Sequence, residues 1–247
     1  MAAQLSHCRR RRLLSGVVLL LSLGPLAGLF LATGCAIPQV PYRTIYEDPV
    51  NYVRLEEDDS VLPEWPPGHH AHPKVFTVDE MTRLINGMTV KEHRIWLQRW
   101  FQGEAPLVPV FKEDEVTLLV PQLVEAFASA RYNERVTFYL SQPQTSVKRV
   151  ITSGGFYMHN DRLHILLGNW QIVYGIPTYG MIYDRRYPMR PTAAKGFDLY
   201  FEPSDVVVNQ GSSMWDTIFA NTKDELVIDM SRWQASVTAR SVQERLP

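Results

Sequence analysis

"RVTFYLSQ" (135–142), "SVKRVITSGGFYM" (146–158) and "RLHILLGNWQIVY" (162–174) decide the fold of this 247-residue chain. Each run mixes β-branched and aromatic residues with polar ones, the composition that suits a pleated, half-buried strand. The second and third runs are joined by His159-Asn160-Asp161, and Asn-Asp between two such runs is a hairpin signal. Gly154-Gly155 in mid-strand predicts a bulge or a close backbone approach. His164 alternates with Leu163 and Ile165, so it takes the opposite face of its strand.

Working outward, "NYVRL" (51–55), "GFDLYFEP" (196–203) and "DELVIDM" (224–230) are further strand candidates. "HRIWLQRWF" (93–101) reads as a strand with Ile95 and Leu97 on one face and Trp96 on the other, a helix being the alternative. A helix begins near Thr77, whose pairing with Glu80 makes a capping box, and Phe76 can pack on Met81 as a hydrophobic staple. Met81, Leu84, Ile85 and Met88 then share one face, and Gly87 marks the end. "VFKEDEVTLLV" (110–120) echoes "VFTVDEMTRLI" (75–85) at six of eleven positions, which raises the question of a repeat. The echo ends there, so it reads as two helix starts of similar grammar. The second helix carries Val116, Leu119, Val120, Leu123, Phe127 and Ala130 on one face, with Pro121 expected to bend it or delay its start. Residues 204–223 stay ambiguous, and 233–247 lack a clear apolar face and are expected to fray. These elements predict an α+β fold: a mostly antiparallel sheet with about two helices packed on one side, within one domain spanning 51–232.

The N-terminus has a different character. Arg9–Arg12 supply a positive start, "LLSGVVLLLSLGPLAGLFLA" (13–32) an uncharged apolar run, and "ATGC" (32–35) small residues before a cysteine. That order is a secretory signal, and Pro25 with Gly24 and Gly28 weakens the run as a permanent spanning helix. "LFLATGC" (29–35) resembles the lipobox of bacterial lipoprotein precursors, with Ala32 where Leu is usual. The resemblance covers residues 1–35 only. It implies cleavage between Gly34 and Cys35, acyl chains on Cys35, and a membrane anchor through that lipid. Ala36 and Ile37 follow the cysteine, with no Asp, which resembles the default for outer-membrane sorting. Residues 1–34 are then the signal peptide and 35–50 the lipidated N-terminus and a tether. The only other cysteine, Cys8, leaves with the signal, so no thiol or disulfide chemistry is expected downstream.

Without residues 1–34, 21 Lys and Arg face 26 Asp and Glu, a net charge of −5. An acidic body of this kind argues against general nucleic-acid binding. Several clusters were weighed for chemistry. His69, His70 and His72 could ligate Zn²⁺ or Cu²⁺, although His69 and His70 would point apart in an extended chain and no carboxylate lies within the tight cluster. Glu56-Glu57-Asp58-Asp59 offers oxygens for Ca²⁺ but lacks the alternating ligands of a calcium loop, and reads as a solvated acidic turn. His159 and His164 with Asp161 could serve acid–base work, or His164 is structural. Ser212 and Ser213 lack the nucleophile-elbow context, and no zinc-protease, phosphate-loop or dinucleotide motif occurs. Trp170, Tyr174, Tyr179, Tyr183 and Tyr187 form an aromatic segment that suits a binding surface, or else packs over an open end of the sheet. No cofactor is expected. The reading that follows is a non-catalytic accessory or assembly protein of the outer membrane, facing the periplasm and contacting an envelope protein. A module for a small ligand, lipid or glycan comes second, and a hydrolase third.

Overall fold

The computed structural model describes residues 40–58, 61, 69–145, 148–175, 185–192, 195–208 and 225–243. All lie in the second of two contact units, Val40–Pro247. The elements are β1 (Tyr42–Glu47), β2 (Tyr52–Glu57), α1 (Val78–Asn86), β3 (Met88–Glu92), α2 (Trp96–Gln102), β4 (Leu107–Pro109), α3 (Glu113–Ser129), β5 (Glu134–Thr145), β6 (Lys148–His159), β7 (Arg162–Gly175), β8 (Phe197–Phe201), a 3₁₀ turn (Ser204–Val206), β9 (Glu225–Asp229) and α4 (Met230–Gln243). The predicted α+β class holds. Six strands form one antiparallel sheet in the order β1-β2-β5-β6-β7-β9, and β4-β3-β8 form a second.

Alternation divides the large sheet into two unlike faces. Val53, Leu55, Val136, Phe138, Phe156, Met158, Leu163 and Ile165 belong to one apolar core with Met81, Leu84 and Ile85 of α1 and Leu119, Leu123 and Phe127 of α3. Both helix starts behave as their shared grammar predicts. Thr77 Oγ1 accepts from the Glu80 N–H, and the Glu80 carboxylate accepts from the Thr77 N–H at 2.8 Å. In α3 the Glu115 carboxylate accepts from the Lys112 N–H at 2.9 Å, but lysine supplies no hydroxyl, so only half of the box remains. The preceding aromatics, Phe76 and Phe111, are both buried. Pro121 lies inside α3, which starts well before it.

The opposite face carries Tyr52, Arg54, Glu56, Arg135, Thr137, Tyr139, Tyr157 and His164. Residues 185–192 cross this face as a strap. Tyr52 donates its hydroxyl to the Arg185 carbonyl, Ser153 Oγ donates to the Pro188 carbonyl at 2.7 Å, and Asn169 Nδ2 donates to the Arg190 carbonyl at 3.0 Å. The glycine pair explains how the strap fits. Strand register slips on both sides of Ser153, and a Cβ on Gly155 would come within 2.6 Å of Met189 Sδ. A Cβ on Gly154 would run into the Leu166 carbonyl. The bulge and the close approach predicted at this pair are both present. The hairpin is also as predicted, with His159 opposite Arg162 and Asn160 in the left-handed region at φ 53°.

Three expectations are corrected. The tether assigned to 35–50 contains β1, whose Arg43 binds the Glu134 carboxylate at 2.7 and 2.8 Å; that partner is remote in sequence, so the local pattern could not show it. Of the two readings of 93–101, the helix holds in place of the strand, as α2 over 96–102; Gln98 accepts from the Ile95 N–H, while Arg94 caps the carbonyls of Gln102 and Gly103. The tail expected to fray is helical as far as it is described, to Gln243 in α4, because Met230 and Trp233 bury a narrow stripe in the core and Val237 packs against it. Residues 209–224, including Ser212 and Ser213, lie outside the described residues, as do Gly34 and Cys35.

Candidate functional site

The histidines of the 69–72 loop are split between two environments. His69 is exposed, its ring edge-on to Tyr132 at 5.1 Å. His70 is only 5% exposed and its Nε2 lies 3.0 Å from Asp58 Oδ2, while Arg135 approaches the other Asp58 oxygen at 3.4 Å. Within the acidic run Glu56 and Asp58 are buried and Glu57 is exposed, as alternation along β2 requires, while Asp59 lies outside the described residues. His72 stacks near Phe127 and accepts from the Met158 N–H at 3.4 Å. Burial, then the neighbouring His70, lowers its pKa to about 4. Ring centroids of His70 and His72 stand 5.9 Å apart, and among the described residues no three His, Cys, Asp or Glu side chains group as metal ligands.

His164 meets a carboxylate that the sequence did not suggest. Its Nδ1 lies 2.7 Å from Glu225 Oε1, and Tyr157, stacked on it at 4.5 Å, donates its hydroxyl to the same oxygen at 2.6 Å. Burial and that hydrogen bond push the Tyr157 pKa well above its ordinary value. His159 lies edge-on to His164 at 6.0 Å, whereas Asp161 pairs with Lys74 at 3.7 Å instead of joining them. Tyr157 also lies 4.6 Å from the His70 ring, so two carboxylate–imidazole pairs flank one tyrosine. The pairs join segments far apart in sequence: Asp58 to the 69–72 loop, and Glu225 of β9 to β6 and β7. Each pair ties its two segments together through a buried or half-buried hydrogen bond.

Of the predicted aromatic surface, only the Trp170 and Tyr187 side chains lie among the described residues. Trp170 is a core residue: it is buried, donates Nε1–H to the Val110 carbonyl at 3.2 Å and packs on Phe197. Tyr187 is half-buried in the strap beneath the Arg190 guanidinium at 4.6 Å. Tyr174 lies in β7, its side chain outside the described set, and Tyr179 and Tyr183 lie wholly outside it.

The exposed apolar surface is elsewhere, on α2. None of its seven residues is buried. Trp100 is 77% exposed and Phe101 79%, and Trp96, Leu97, Ile95 and Leu107 are exposed around them. Positions 96, 97, 100 and 101 form one helical face, and Gln98 and Gln102 lie on another. The glutamine face is also exposed, and it lines an open groove of about 440 Å³ with Glu92, Arg94, Trp170 and Gln171. Aromatic side chains cover about 150–250 Å² each, so the three rings alone offer on the order of 500 Å², a large share of the roughly 800 Å² that one partner contributes to a standard interface. Strand and helix were both open for these residues in the sequence, and only the helix gathers them on one face. The signal that could have found the patch is the spacing 96, 97, 100, 101 against Gln98 and Gln102.

No protein-family model matches the chain, and no curated protein and no solved structure matches it. Among the described residues no helix is long and apolar enough to cross a membrane.

Proposed function

We propose that this chain is a lipid-anchored envelope protein, held in the outer membrane through Cys35, that works without catalysis by docking a protein partner on α2. One observation carries the docking: α2 turns Trp96, Trp100 and Phe101 to solvent, each more than 70% exposed. A monomer gains nothing from that orientation, since exposed apolar patches of this size mark interaction sites. Tryptophan and phenylalanine are also residues on which binding energy concentrates. The anchor rests on the N-terminal signal and the small residues before Cys35.

A photoreactive residue in place of Leu97, introduced into the full chain in intact cells, tests the docking. The expected result is one dominant protein adduct, lost when Trp100 and Phe101 are both changed to Glu. Adducts to lipid alone would move α2 from a protein interface to the bilayer surface. Mass spectrometry of the mature N-terminus tests the anchor, and an unmodified Cys35 or an intact Met1 overturns it.

A further inference from the structure

We infer that the partner docked on α2 is a second copy of this chain, with the two α2 helices packed antiparallel across a two-fold axis. This rests on the docking reading and names the partner.

The area suits a dimer. Trp96, Trp100 and Phe101 are each more than 70% exposed. Their rings offer on the order of 500 Å² per copy. Two copies together then bury about 1,000 Å², the area at which specific interfaces begin. Ile95, Leu97 and Leu107 are exposed as well and extend the patch. The relief suits it too. Trp96 and Trp100 make one i, i+4 ridge and Leu97 and Phe101 the next, and ridges of this spacing seat between the same ridges of another helix. The proposed anchor at Cys35 would confine all copies to one surface, raising their effective concentration so that an interface of this modest area holds.

The charges at the rim select a copy. Across a two-fold axis a surface meets itself, so a rim of one sign would repel itself. Here one edge of the apolar face carries both signs. Arg99 borders that face, and its Nε stands 3.9 Å from the Glu104 carboxylate. Both side chains are more than half exposed, and 3.9 Å is longer than a hydrogen bond, so each is free to pair more closely elsewhere. The other edge carries the uncharged Gln98. A two-fold axis can pair such helices in two ways. Parallel pairing sets the charged edge of one copy against the glutamine edge of the other. Antiparallel pairing sets charged edge against charged edge, so that Arg99 faces the second copy's Glu104 twice over, once on each side of the axis.

The experiment uses the full chain in cells, made with two different tags and a photoreactive residue in place of Leu97. The expected adduct carries both tags and maps to α2 of the second copy. Arg99→Glu in both copies, or Glu104→Arg in both, is expected to lower that adduct about tenfold, because like charges then face one another. Arg99→Glu on one tag combined with Glu104→Arg on the other rebuilds both pairs, and the two-tag adduct should return. That rescue also shows that both variants fold. A dominant adduct to a different protein, a two-tag adduct mapping away from α2, charge variants without effect, or a mixed pair as low as the single variants would each overturn the self-pairing while leaving the docking reading in place. Adducts confined to one chain, or no protein adduct, would overturn the docking reading itself.

Discussion

α1 and α2 are separated only by β3 and a short turn, yet they use apolar residues in opposite ways. α1 buries Met81, Leu84 and Ile85 against α3 and the sheet, with its charged residues outward. α2 contains more aromatic surface and buries none of it. Hydrophobic content therefore does not decide burial here; the neighbours each helix meets do. α1 feeds β3 through Gly87, where a Cβ would come within 2.8 Å of the Phe201 ring and the Glu202 carbonyl, so the chain is held tightly against the core. α2 is fastened at its ends, by Gln98 to the Ile95 N–H and by Arg94 to carbonyls beyond Trp100, and its long face is left for something else.

The contrast is broken most forcefully on the buried side. Phe127→Ala should cost about 3–5 kcal/mol, because Phe127 is fully buried among Phe76, Phe156 and His72 and leaves a cavity; urea unfolding checks it. Acid comes next. The His72 pKa of about 4 in the folded protein lies below its ordinary value, so between pH 4 and 6.5 the unfolded chain binds the extra proton. The stability present at pH 7 is thus lost as pH falls through this window, by about 2 kcal/mol at pH 5. His72→Phe should remove that share of the pH dependence in the same unfolding experiment.

Thr77→Ala should cost about 1 kcal/mol by removing the hydroxyl half of the α1 capping box. Lys112→Thr should gain a similar fraction by completing the box of α3, if the new hydroxyl reaches the Glu115 N–H. The smallest effect is expected on α2. Trp100→Ala should change the unfolding free energy by no more than about 0.5 kcal/mol, as for an exposed site, while reducing adducts trapped at position 97. A cost of several kcal/mol would place Trp100 against the body of the protein and erase the contrast.

Much of the large sheet was legible because its signals are local. The three runs from 135 to 174, the Asn160-Asp161 turn and the glycine pair each carry their cause within a few residues. The helix starts were legible for the same reason, down to the Glu at the third helical position. β1 was not, since a six-residue strand at a sheet edge is defined by its partner; Tyr42 finds Arg54 and Arg43 finds Glu134 only after the chain returns. Residues 93–101 misled because alternation and a short amphipathic helix look alike over two turns. The candidate site suffered most. Trp170 looked available and is core, while Trp96 and Trp100 looked like sheet and are open.

The sequence by itself determined the α+β class, the β5–β6–β7 meander, the two capped helices and the expectation of an export signal ending at Cys35. These follow from periodicity, turn chemistry and composition, which act over short distances along the chain. Only the tertiary structure decided which apolar residues are covered and which carboxylates meet His70 and His164. Those depend on groups brought together from 12 residues apart, as Asp58 and His70 are, to 133, as Tyr52 and Arg185 are. Burial is a property of neighbours in space, and a residue's type states only how much it would gain from having them.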